Sequence, residues 1–335
     1  KYEAGKEYTV QGNITLYAIW KANKFDIILN GNGGAFVYGN GNKIEQISYQ
    51  KYASDTITMP MQETTNGYPV IQRNGYTFKG WATKAGSNVV KYQPGKTYSV
   101  SDIVANSTNL YAIWQINKYT ITFNRNSSDN SIKINGESTE NYHITENYNA
   151  KVDLPIAERP GYTLLGWDEN QEATKATYST NSKYTIKGNT TLYAIWSINT
   201  YTVTFNAGEG TVNQNTIEGT YNTEIRLPEA TRKGYELLGW SEDAKATQPQ
   251  YTNTYVIKEN KVLYAVWSTK RYTVVLDANG GQIGDSTDSI KSITNNYLTN
   301  ITLPTATREG YTFTGWSTNI NAILGEYKTN YEIQD

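Results

Sequence analysis

Cysteine is absent from the 335-residue sequence, and histidine occurs once, at His143. Without cysteine the chain cannot form disulfide bonds, a catalytic thiol or a cysteine-ligated zinc site. Long hydrophobic runs are also missing, since none approaches the roughly 20 residues that span a bilayer. The 30 basic and 31 acidic residues leave a net charge of -1. The overall charge therefore predicts neither nucleic acid nor an anionic membrane as a partner.

Aromatic residues and glycine are abundant instead, with 29 tyrosines, 8 tryptophans and 27 glycines. Aromatic and β-branched residues favour strands, while asparagine and glycine favour turns. No stretch shows helical periodicity beyond a turn or two. The composition therefore predicts a mostly β (α+β) chain with little helix.

Four sequence landmarks recur in a fixed order, and the first two read as strands. The first alternates apolar and polar residues at period two, as a half-buried strand must; its copies are FDIILN (25–30), YTITFN (119–124), YTVTFN (201–206) and YTVVLD (272–277). The second carries a tyrosine and ends before a proline, which cannot donate to a strand ladder. Its tyrosine and proline pairs are Tyr52 and Pro60, Tyr148 and Pro155, Tyr221 and Pro228, and Tyr297 and Pro304.

The third landmark has the pattern Arg-x-Gly-Tyr-x-[Phe/Leu]-x-Gly-Trp and ends at Trp81, Trp167, Trp240 and Trp316. Strand alternation predicts that its tyrosine, its Phe or Leu and its second glycine share one face, with the tryptophan on the other. A glycine between large side chains predicts a ring or a second backbone close to it. The fourth landmark is a pair of tyrosines followed by LYA[I/V]W, which ends at Trp20, Trp114, Trp196 and Trp267.

Two spacings are the same in every copy. Eleven positions separate each third-landmark tryptophan from the next tyrosine, as from Trp81 to Tyr92, which predicts a structured connection. Five positions separate each closing tryptophan from the next first landmark, as from Trp114 to Tyr119, leaving the four-residue linkers KANK, QINK, SINT and STKR. Linkers this short predict that successive repeats cannot reorient freely.

The landmarks also predict the domain boundaries. The chain divides into the last strand of a preceding repeat, three complete repeats, and a fourth repeat that lacks its last strand: 1–20, 21–114, 115–196, 197–267 and 268–335. Segments of variable length within the repeats are predicted to be solvent-exposed loops: 31–46, 61–72 and 125–143. The first and last strands of each repeat are the most apolar, which predicts adjacent central strands in a mixed sheet.

The order YTVTFN (201–206), RKGYELLGW (232–240) and LYAVW (263–267) resembles the Listeria–Bacteroides repeat, the B-repeat type of internalin-like surface proteins. The resemblance covers essentially the whole chain, in three complete copies and two partial ones. It implies small β-grasp-like units of the ubiquitin or SUMO type, strung in tandem in a secreted or wall-attached Gram-positive protein. The strand pattern alone does not choose between a β-grasp and a small sandwich. The longer loops of the first two repeats depart from the family pattern and suggest additions there.

The sequence predicts no catalytic, cofactor-binding or metal-binding residue. His143 occurs in one repeat only, which favours a solvated or edge-strand histidine over a Ser-His-Asp triad. Three glycine clusters lack the features of phosphate or calcium loops and predict turns: 30–34, 206–210 and 277–281. Arginines that precede each GYxxxGW strand are predicted to stack on a ring or to bond loop carbonyls: Arg73, Arg159, Arg232 and Arg308.

These observations support competing hypotheses for function. The first is a non-enzymatic stalk of an extracellular, wall-attached or secreted protein, in which rigid tandem units hold a distal module away from the wall. The second is adhesion, in which the loops 31–46, 61–72 and 125–143 bind a host protein or glycan. A hydrolase would require activity that maps outside the landmarks. A further hypothesis is that Asn13–Trp20 of one molecule completes the open 272–335 repeat of another. The simpler account, which we favour, is a cut through the array or disorder beyond Asp335.

Overall fold

A computed structural model describes residues 2–63 and 70–335. Almost all of the regular structure is strand, and the one α-helix among the described residues is Val100–Asn106. This confirms the predicted mostly β chain with little helix. The chain forms two compact units. Unit 1 takes in the described residues of Lys1–Ser128, Thr139–Ile156 and Gly166–Ala194, and unit 2 those of Asp129–Ser138, Ala157–Leu165 and Ile195–Asp335.

Each of the first three repeats contains four long strands that form one sheet. We name them, in chain order, the opening, second, GW and closing strands, which correspond to the four landmarks. Their bounds are Lys24–Asn30, Gln46–Tyr52, Tyr76–Ala82 and Asn109–Ile116 in repeat 1; Lys118–Asn124, Asn141–Asn147, Tyr162–Asp168 and Thr190–Ile198 in repeat 2; and Thr200–Asn206, Thr216–Thr220, Tyr235–Ser241 and Lys261–Thr269 in repeat 3. A short strand, Tyr178–Ser179, extends the sheet of repeat 2.

The sheet order in these repeats is second, opening, closing and GW. The opening and closing strands are parallel neighbours, and the leucine of LYA[I/V]W is in register with a buried residue of the opening strand in each repeat: Leu110 with Leu29, Leu192 with Phe123, and Leu263 with Phe205. The opening and second strands pair antiparallel. The predicted mixed sheet with adjacent first and last strands is therefore confirmed.

Every repeat also contains two short antiparallel pairs. One joins the residues before the second-landmark proline to the tyrosine pair: Thr56–Thr58 with Thr97–Ser99, Lys151–Asp153 with Lys183–Thr185, Glu224–Arg226 with Thr254–Val256, and Asn300–Thr302 with Asn330–Glu332. The other joins the segment after the opening strand to the start of the third landmark: Ala35–Val37 with Val70–Gln72, Lys133–Ile134 with Ala157–Glu158, Thr211–Val212 with Ala230–Thr231, and Gln282–Ile283 with Ala306–Thr307. In repeat 1, Lys43–Ile44 adds a third strand to this second pair.

The tryptophan that ends the third landmark packs in or against the core of each repeat and links two landmarks. In the first three repeats its side chain is at most 1% exposed. Its indole N–H donates to the carbonyl of the second-landmark proline at 2.8–3.2 Å, in the pairs Trp81–Pro60, Trp167–Pro155, Trp240–Pro228 and Trp316–Pro304. A buried donor without an acceptor costs about 1–3 kcal/mol, so this bond holds the second landmark against the third.

The glycine before that tryptophan forms a β-bulge in repeats 1 and 3, and the predicted faces of the GW strand are wrong for this reason. Its φ lies between +130° and +146° in all four repeats, and the strand register shifts between Phe78 and Gly80. The extra residue resets the alternation of side chains, so Phe78 and Trp81 pack in the same core with ring centroids 5.3 Å apart.

The predicted backbone close to this glycine is the tyrosine eleven positions beyond the tryptophan. A Cβ at Gly80 would lie 2.9 Å from the carbonyl oxygen of Tyr92, and the equivalent tyrosine carbonyl faces the glycine in the other repeats. The same carbonyl accepts the backbone N–H of Trp81 at 2.9 Å. The constant spacing of eleven therefore reflects a structured connection, as predicted.

The helix Val100–Asn106 was not predicted. Ser99 caps it by accepting the N–H of Asp102 at 3.2 Å, and Val100 and Ile103 are fully buried. The second tyrosine of the pair and the closing-strand leucine are 12 positions apart in repeat 1, from Tyr98 to Leu110, and 8 apart in repeats 2 and 3. The four extra residues make room for this seven-residue helix, and two buried residues are too few to give a helical period in the sequence.

The fourth repeat has fewer strands among its described residues. Its opening strand, Arg271–Asp277, pairs only with the second strand, Ile290–Asn296, and a cavity of about 510 Å³ adjoins it. The segment Asn13–Trp20, predicted as a closing strand, is assigned no strand in the described part of the chain, and Trp20 is 89% exposed. Its assignment to a preceding repeat, and strand exchange between molecules, stay predictions.

We expect Gly166→Ala to destabilise repeat 2 by about 1–3 kcal/mol from backbone strain alone, with a further cost from the Tyr178 carbonyl that a Cβ would meet. Gly188→Ala in the same repeat is the matched control. Its added Cβ meets open space at an ordinary φ, so its effect should stay within about 1 kcal/mol. Amide hydrogen exchange of repeat 2 measures both, and equal protection in the two variants would contradict the backbone conformation of Gly166 as the cause.

Candidate functional site: the junctions between repeats

The closing strand of one repeat and the opening strand of the next are separated by a single residue. Asn109–Ile116 is followed by Asn117 and then by Lys118–Asn124. The equivalent residues of the next two junctions are Asn199 and Lys270. The predicted linkers of four residues are therefore too long, because three of the four residues belong to strands.

This single residue, which we call the junction residue, is held by backbone hydrogen bonds on both sides. Its N–H donates to the first glycine carbonyl of the preceding third landmark, and its carbonyl accepts the N–H of the following second-landmark tyrosine. Every one of these bonds is 2.9 Å long: Asn117 to Gly75 and Tyr148 to Asn117; Asn199 to Gly161 and Tyr221 to Asn199; Lys270 to Gly234 and Tyr297 to Lys270. The first of these junctions lies in unit 1 and the other two lie in unit 2.

The glycine at each junction leaves room for a tyrosine ring. Gly75, Gly161 and Gly234 have φ of +75°, +72° and +75°, a region that glycine enters at little cost. A Cβ on any of the three would fall on the ring of the second-landmark tyrosine of the next repeat. The same glycine in repeat 4, Gly310, has a φ of +76° and open space within 4 Å. The turn therefore forms with or without the tyrosine ring, and the ring contact is made only where another repeat follows among the described residues.

Aromatic contacts extend each junction. The ring of Tyr148 packs edge-on against Tyr76 of the preceding repeat at 6.5 Å and Tyr119 of its own at 6.3 Å. Tyr162 with Tyr221, and Tyr235 with Tyr297, repeat the first contact at 6.4 and 6.0 Å. Edge-on ring pairs contribute about 0.5–1.5 kcal/mol beyond their buried area.

The side chain of the junction residue adds bonds in two of the three junctions. Asn117 Oδ1 accepts the hydroxyl of Thr77 at 2.6 Å, and Asn199 Oδ1 accepts that of Thr163 at 2.7 Å. At the third junction Lys270 keeps the backbone bonds but its ammonium cannot accept a hydrogen bond. The backbone bonds and the ring contact are therefore the features common to all junctions.

The arginine of each third landmark stacks on the tyrosine three positions later, which confirms the predicted role. The guanidinium carbon lies 3.6–4.2 Å from the ring centroid in the pairs Arg73–Tyr76, Arg159–Tyr162, Arg232–Tyr235 and Arg308–Tyr311. Arg308 also donates to the Asn279 carbonyl at 3.0 Å, and Arg73 to that of Asn32 at 3.4 Å. In the first three repeats this arginine therefore supports the tyrosine that faces the next repeat.

The glycine clusters form turns, as predicted, and two of the three also contact the closing tryptophan of their repeat. The indole N–H of Trp114 donates to the Gly31 carbonyl at 2.8 Å, and that of Trp267 donates to the Ala207 carbonyl at 3.1 Å. A Cβ on Gly34 would collide with the Trp114 ring. The sequence predicted the turn but gave no sign that a tryptophan about 80 positions away rests on it.

The predicted loops are only partly solvent-exposed. Segment 31–46 contains Phe36, which is fully buried and stacks on Trp81 at 5.9 Å. Segment 125–143 contains the fully buried Ile132 and Ile134. Residues 64–69 of segment 61–72 lie outside the described residues, and its last three form the strand Val70–Gln72. The interpretation of these segments as solvent loops is wrong for the strand-forming residues, which are too few in a row to show a period.

His143 lies on the second strand of repeat 2, at the edge of the sheet. It is exposed, and its Nδ1 is 3.1 Å from the Thr122 hydroxyl on the neighbouring strand. The predicted edge-strand position is confirmed. This contact is a cross-strand pair of the kind that stabilises sheets.

The tyrosine pair of repeat 2 shares one carboxylate. The hydroxyl of Tyr178 donates to Glu169 Oε1 at 2.9 Å, and that of Tyr184 lies 3.4 Å from the same atom. The two rings pack edge-on at 5.1 Å. Partial burial, followed by the hydrogen bond to Glu169, raises the pKa of Tyr178 to about 12. The phenol therefore stays protonated and serves as a hydrogen-bond donor in the scaffold.

Repeat 3 has the same arrangement with an added lysine. Tyr251 donates to Glu242 Oε1 at 2.8 Å, and Lys261 Nζ lies 3.1 Å from Glu242 Oε2. The Tyr251 hydrogen bond and then Lys261 lower the pKa of Glu242. Burial raises the pKa of Tyr251 to about 12. The sequence signal, a glutamate two positions after the GW tryptophan in repeats 2 and 3, was available but was not recognised.

Substitution of the junction glycine should break the junction through the ring contact. Gly161→Ala and Gly310→Ala both pay about 1–2 kcal/mol for a Cβ at positive φ, but only Gly161→Ala displaces a ring, that of Tyr221. We expect the amides of Asn199 and Tyr221 to lose protection from hydrogen exchange in Gly161→Ala and to keep it in Gly310→Ala. Retained protection in both variants would show that the ring contact does not hold the junction.

The raised pKa values predict that stability falls at high pH. A phenol whose pKa is raised by folding contributes stability below its ordinary value of 10, and this contribution is lost as the pH rises through about 12. The ultraviolet phenolate absorbance of the folded chain should show Tyr178→Phe and Tyr251→Phe removing tyrosines that titrate late. If either variant removed a tyrosine that titrates at its ordinary pKa, the raised pKa of that phenol would be contradicted.

In the part of the chain that the structure describes, no helix has the length and apolar character needed to cross a bilayer.

Residues 35–113, 119–195, 201–266 and 272–334 match the Listeria-Bacteroides repeat domain. Two proteins of Evansella cellulosilytica, named as a Gly-rich membrane protein and a membrane protein, are 29% and 30% identical over 90% and 91% of this chain. Internalin H of Listeria monocytogenes is 28% identical over 62% of it. The chain spans 31%, 41% and 40% of the length of these three relatives. Since the four matches cover most of the sequence, the chain belongs to the Listeria–Bacteroides repeat family.

Proposed function

We propose that the chain is a non-enzymatic spacer in a bacterial cell-surface protein, where its repeats hold another part of the protein at a distance from the wall or membrane. The observation that carries this proposal is the junction. Three times along the chain the same parts recur, namely a glycine carbonyl, a single junction residue and a tyrosine ring. Residues that serve only to join neighbours are expected in an array whose function depends on the relation between its units.

The position of the charged and polar side chains supports a structural role. The recurring arginines stack on tyrosines of their own repeats. The glutamates beside the tyrosine pairs accept phenol hydrogen bonds. His143 has a cross-strand partner on an exposed edge. These arginines, glutamates and the histidine thus have partners within the scaffold.

The relatives support the proposed location. Two are named as membrane proteins and one as an internalin, and each is longer than the segment that matches this chain. A repeat segment that forms under half of a longer protein suits a spacer between other modules. We propose an extracellular location on this basis, and an antibody raised against the chain should label intact cells of its source.

Small-angle X-ray scattering tests the spacer proposal. The chain should scatter as an elongated particle whose shape is unchanged in Gly310→Ala and becomes more flexible when Gly75, Gly161 and Gly234 are all replaced by alanine. Loss of the junction contacts gives the second result, because among the glycines that the structure describes only these three face the ring of a following repeat. A compact particle, or the same flexibility in both variants, would reject the proposal.

A further inference from the structure

We propose that each complete repeat resists tension along the chain, because its first and last strands are parallel neighbours that a pull on the two ends loads in shear. We call the bonds between these strands, and between the residues that adjoin them, the parallel clamp. A spacer needs only length, whereas a parallel clamp gives mechanical strength. The proposal concerns a second property of the repeats. It rests on the proposed function in one respect, because a spacer in a cell-surface protein is where tension along the chain would arise.

The direction of the load follows from strand polarity. In repeat 3 the opening strand starts at Thr200, and the closing strand ends at Thr269. Val203–Asn206 pair with Lys261–Tyr264 in parallel register. Because parallel strands run the same way, a pull on Thr200 and Thr269 draws the two strands past each other. All bonds of the clamp then carry the load together, whereas antiparallel neighbours pulled at adjacent ends separate one bond at a time.

Side-chain amides lengthen the clamp before the backbone pairing begins. In repeat 2 the N–H of Thr120 donates to Asn189 Oδ1 at 2.9 Å, and in repeat 3 the N–H of Thr202 donates to Asn260 Oδ1 at 2.8 Å. Each asparagine stands just before its closing strand. These bonds use opening-strand N–H groups that precede the backbone register, so they add a bond in the line of load.

Another asparagine lengthens the clamp at its far end in two repeats. Asn32 Nδ2 donates to the Ala112 carbonyl at 2.8 Å, and Asn126 Nδ2 donates to the Ala194 carbonyl at 3.1 Å. Both alanines are the third residue of LYAIW. The indole of Trp114, two residues further along the closing strand, adds its bond to the Gly31 carbonyl. Bonds between the opening and closing segments thus continue past both ends of the backbone pairing.

Repeat 3 has glycine where the first two repeats have this asparagine. Asn32, Asn126 and Gly208 have φ of +48°, +52° and +62°. Each donates its N–H at 2.8 Å to the side chain of the asparagine two positions earlier. The three positions are therefore equivalent, and Gly208 has no side chain to reach the closing strand. A Cβ there would meet open space, so an asparagine can be introduced.

Single-molecule force measurement on the full chain tests the direction of the load. Since the chain has no cysteine, handles attach only where cysteines are introduced. The first variant carries Thr200→Cys and Thr269→Cys, which loads the clamp in shear. The second carries Thr200→Cys and Thr223→Cys, which pulls the opening strand from its antiparallel neighbour at adjacent ends. We expect a severalfold higher rupture force in the first variant at one pulling rate. An equal or lower force would overturn the proposal.

The amide bond is tested by a matched pair of substitutions in the first of these variants. Gly208→Asn should raise the rupture force of repeat 3, because its amide can donate to the Ala265 carbonyl as Asn32 does to Ala112. Gly208→Asp is the control, since aspartate also tolerates positive φ but its carboxylate cannot donate. Thermal unfolding and hydrogen exchange verify that both variants fold. A rise in both variants, or in neither, would overturn the role of the amide.

The outcomes separate this proposal from the spacer function. A flexible or compact chain in scattering together with a high force in shear rejects the spacer and supports the parallel clamp. An elongated chain that ruptures at equal force in both directions supports the spacer and rejects the clamp.

Discussion

The parallel pairing of the opening and closing strands is the constraint on which the rest of the structure depends. The first and last strands of a repeat can be parallel neighbours only if the chain between them returns to the end of the sheet at which the first strand began. The second and GW strands make this return, one on each side of the central pair. The chain leaves the repeat at the end opposite to its entry, and one residue later the next opening strand begins.

Small repeats without cysteine must be stabilised by packing and hydrogen bonds, since domains of this size bury a limited fraction of their surface. Tryptophan and tyrosine meet this need because each combines a large apolar ring with a polar group. Trp81 fills the core and bonds the Pro60 carbonyl, while Trp114 covers a glycine turn and bonds the Gly31 carbonyl. The tyrosines have a different distribution, because one set packs at the junctions and another forms the pairs beside Glu169 and Glu242.

Much of the fold could be predicted from spacing, and the reason is physical. The distance from Trp81 to Tyr92 is constant because their backbones are hydrogen-bonded, and the mixed sheet followed from the apolar opening and closing strands. The bulge at Gly80 could not be predicted from alternation, because a residue at positive φ breaks the period on which the method depends. Helix Val100–Asn106 and the two- and three-residue strands were missed because they are shorter than the period that would reveal them. The junction could be predicted only in part. The constant spacing indicated a short connection, but the sequence gave neither its length of one residue nor its tyrosine partners, which lie in distant landmarks.

The pairing of the opening and closing strands is also the same in repeats that differ in their number of residues. Repeat 1 runs from Lys24 to Ile116 and repeat 3 from Thr200 to Thr269, yet both have a seven-residue opening strand in register with the same leucine of the closing strand. Those extra residues of repeat 1 that the structure describes include a helix and an added strand of a short sheet, both between anchored positions. Insertions can therefore accumulate in one repeat without changing where the next one starts. The surface of such a repeat can vary while the contacts of its junction stay the same.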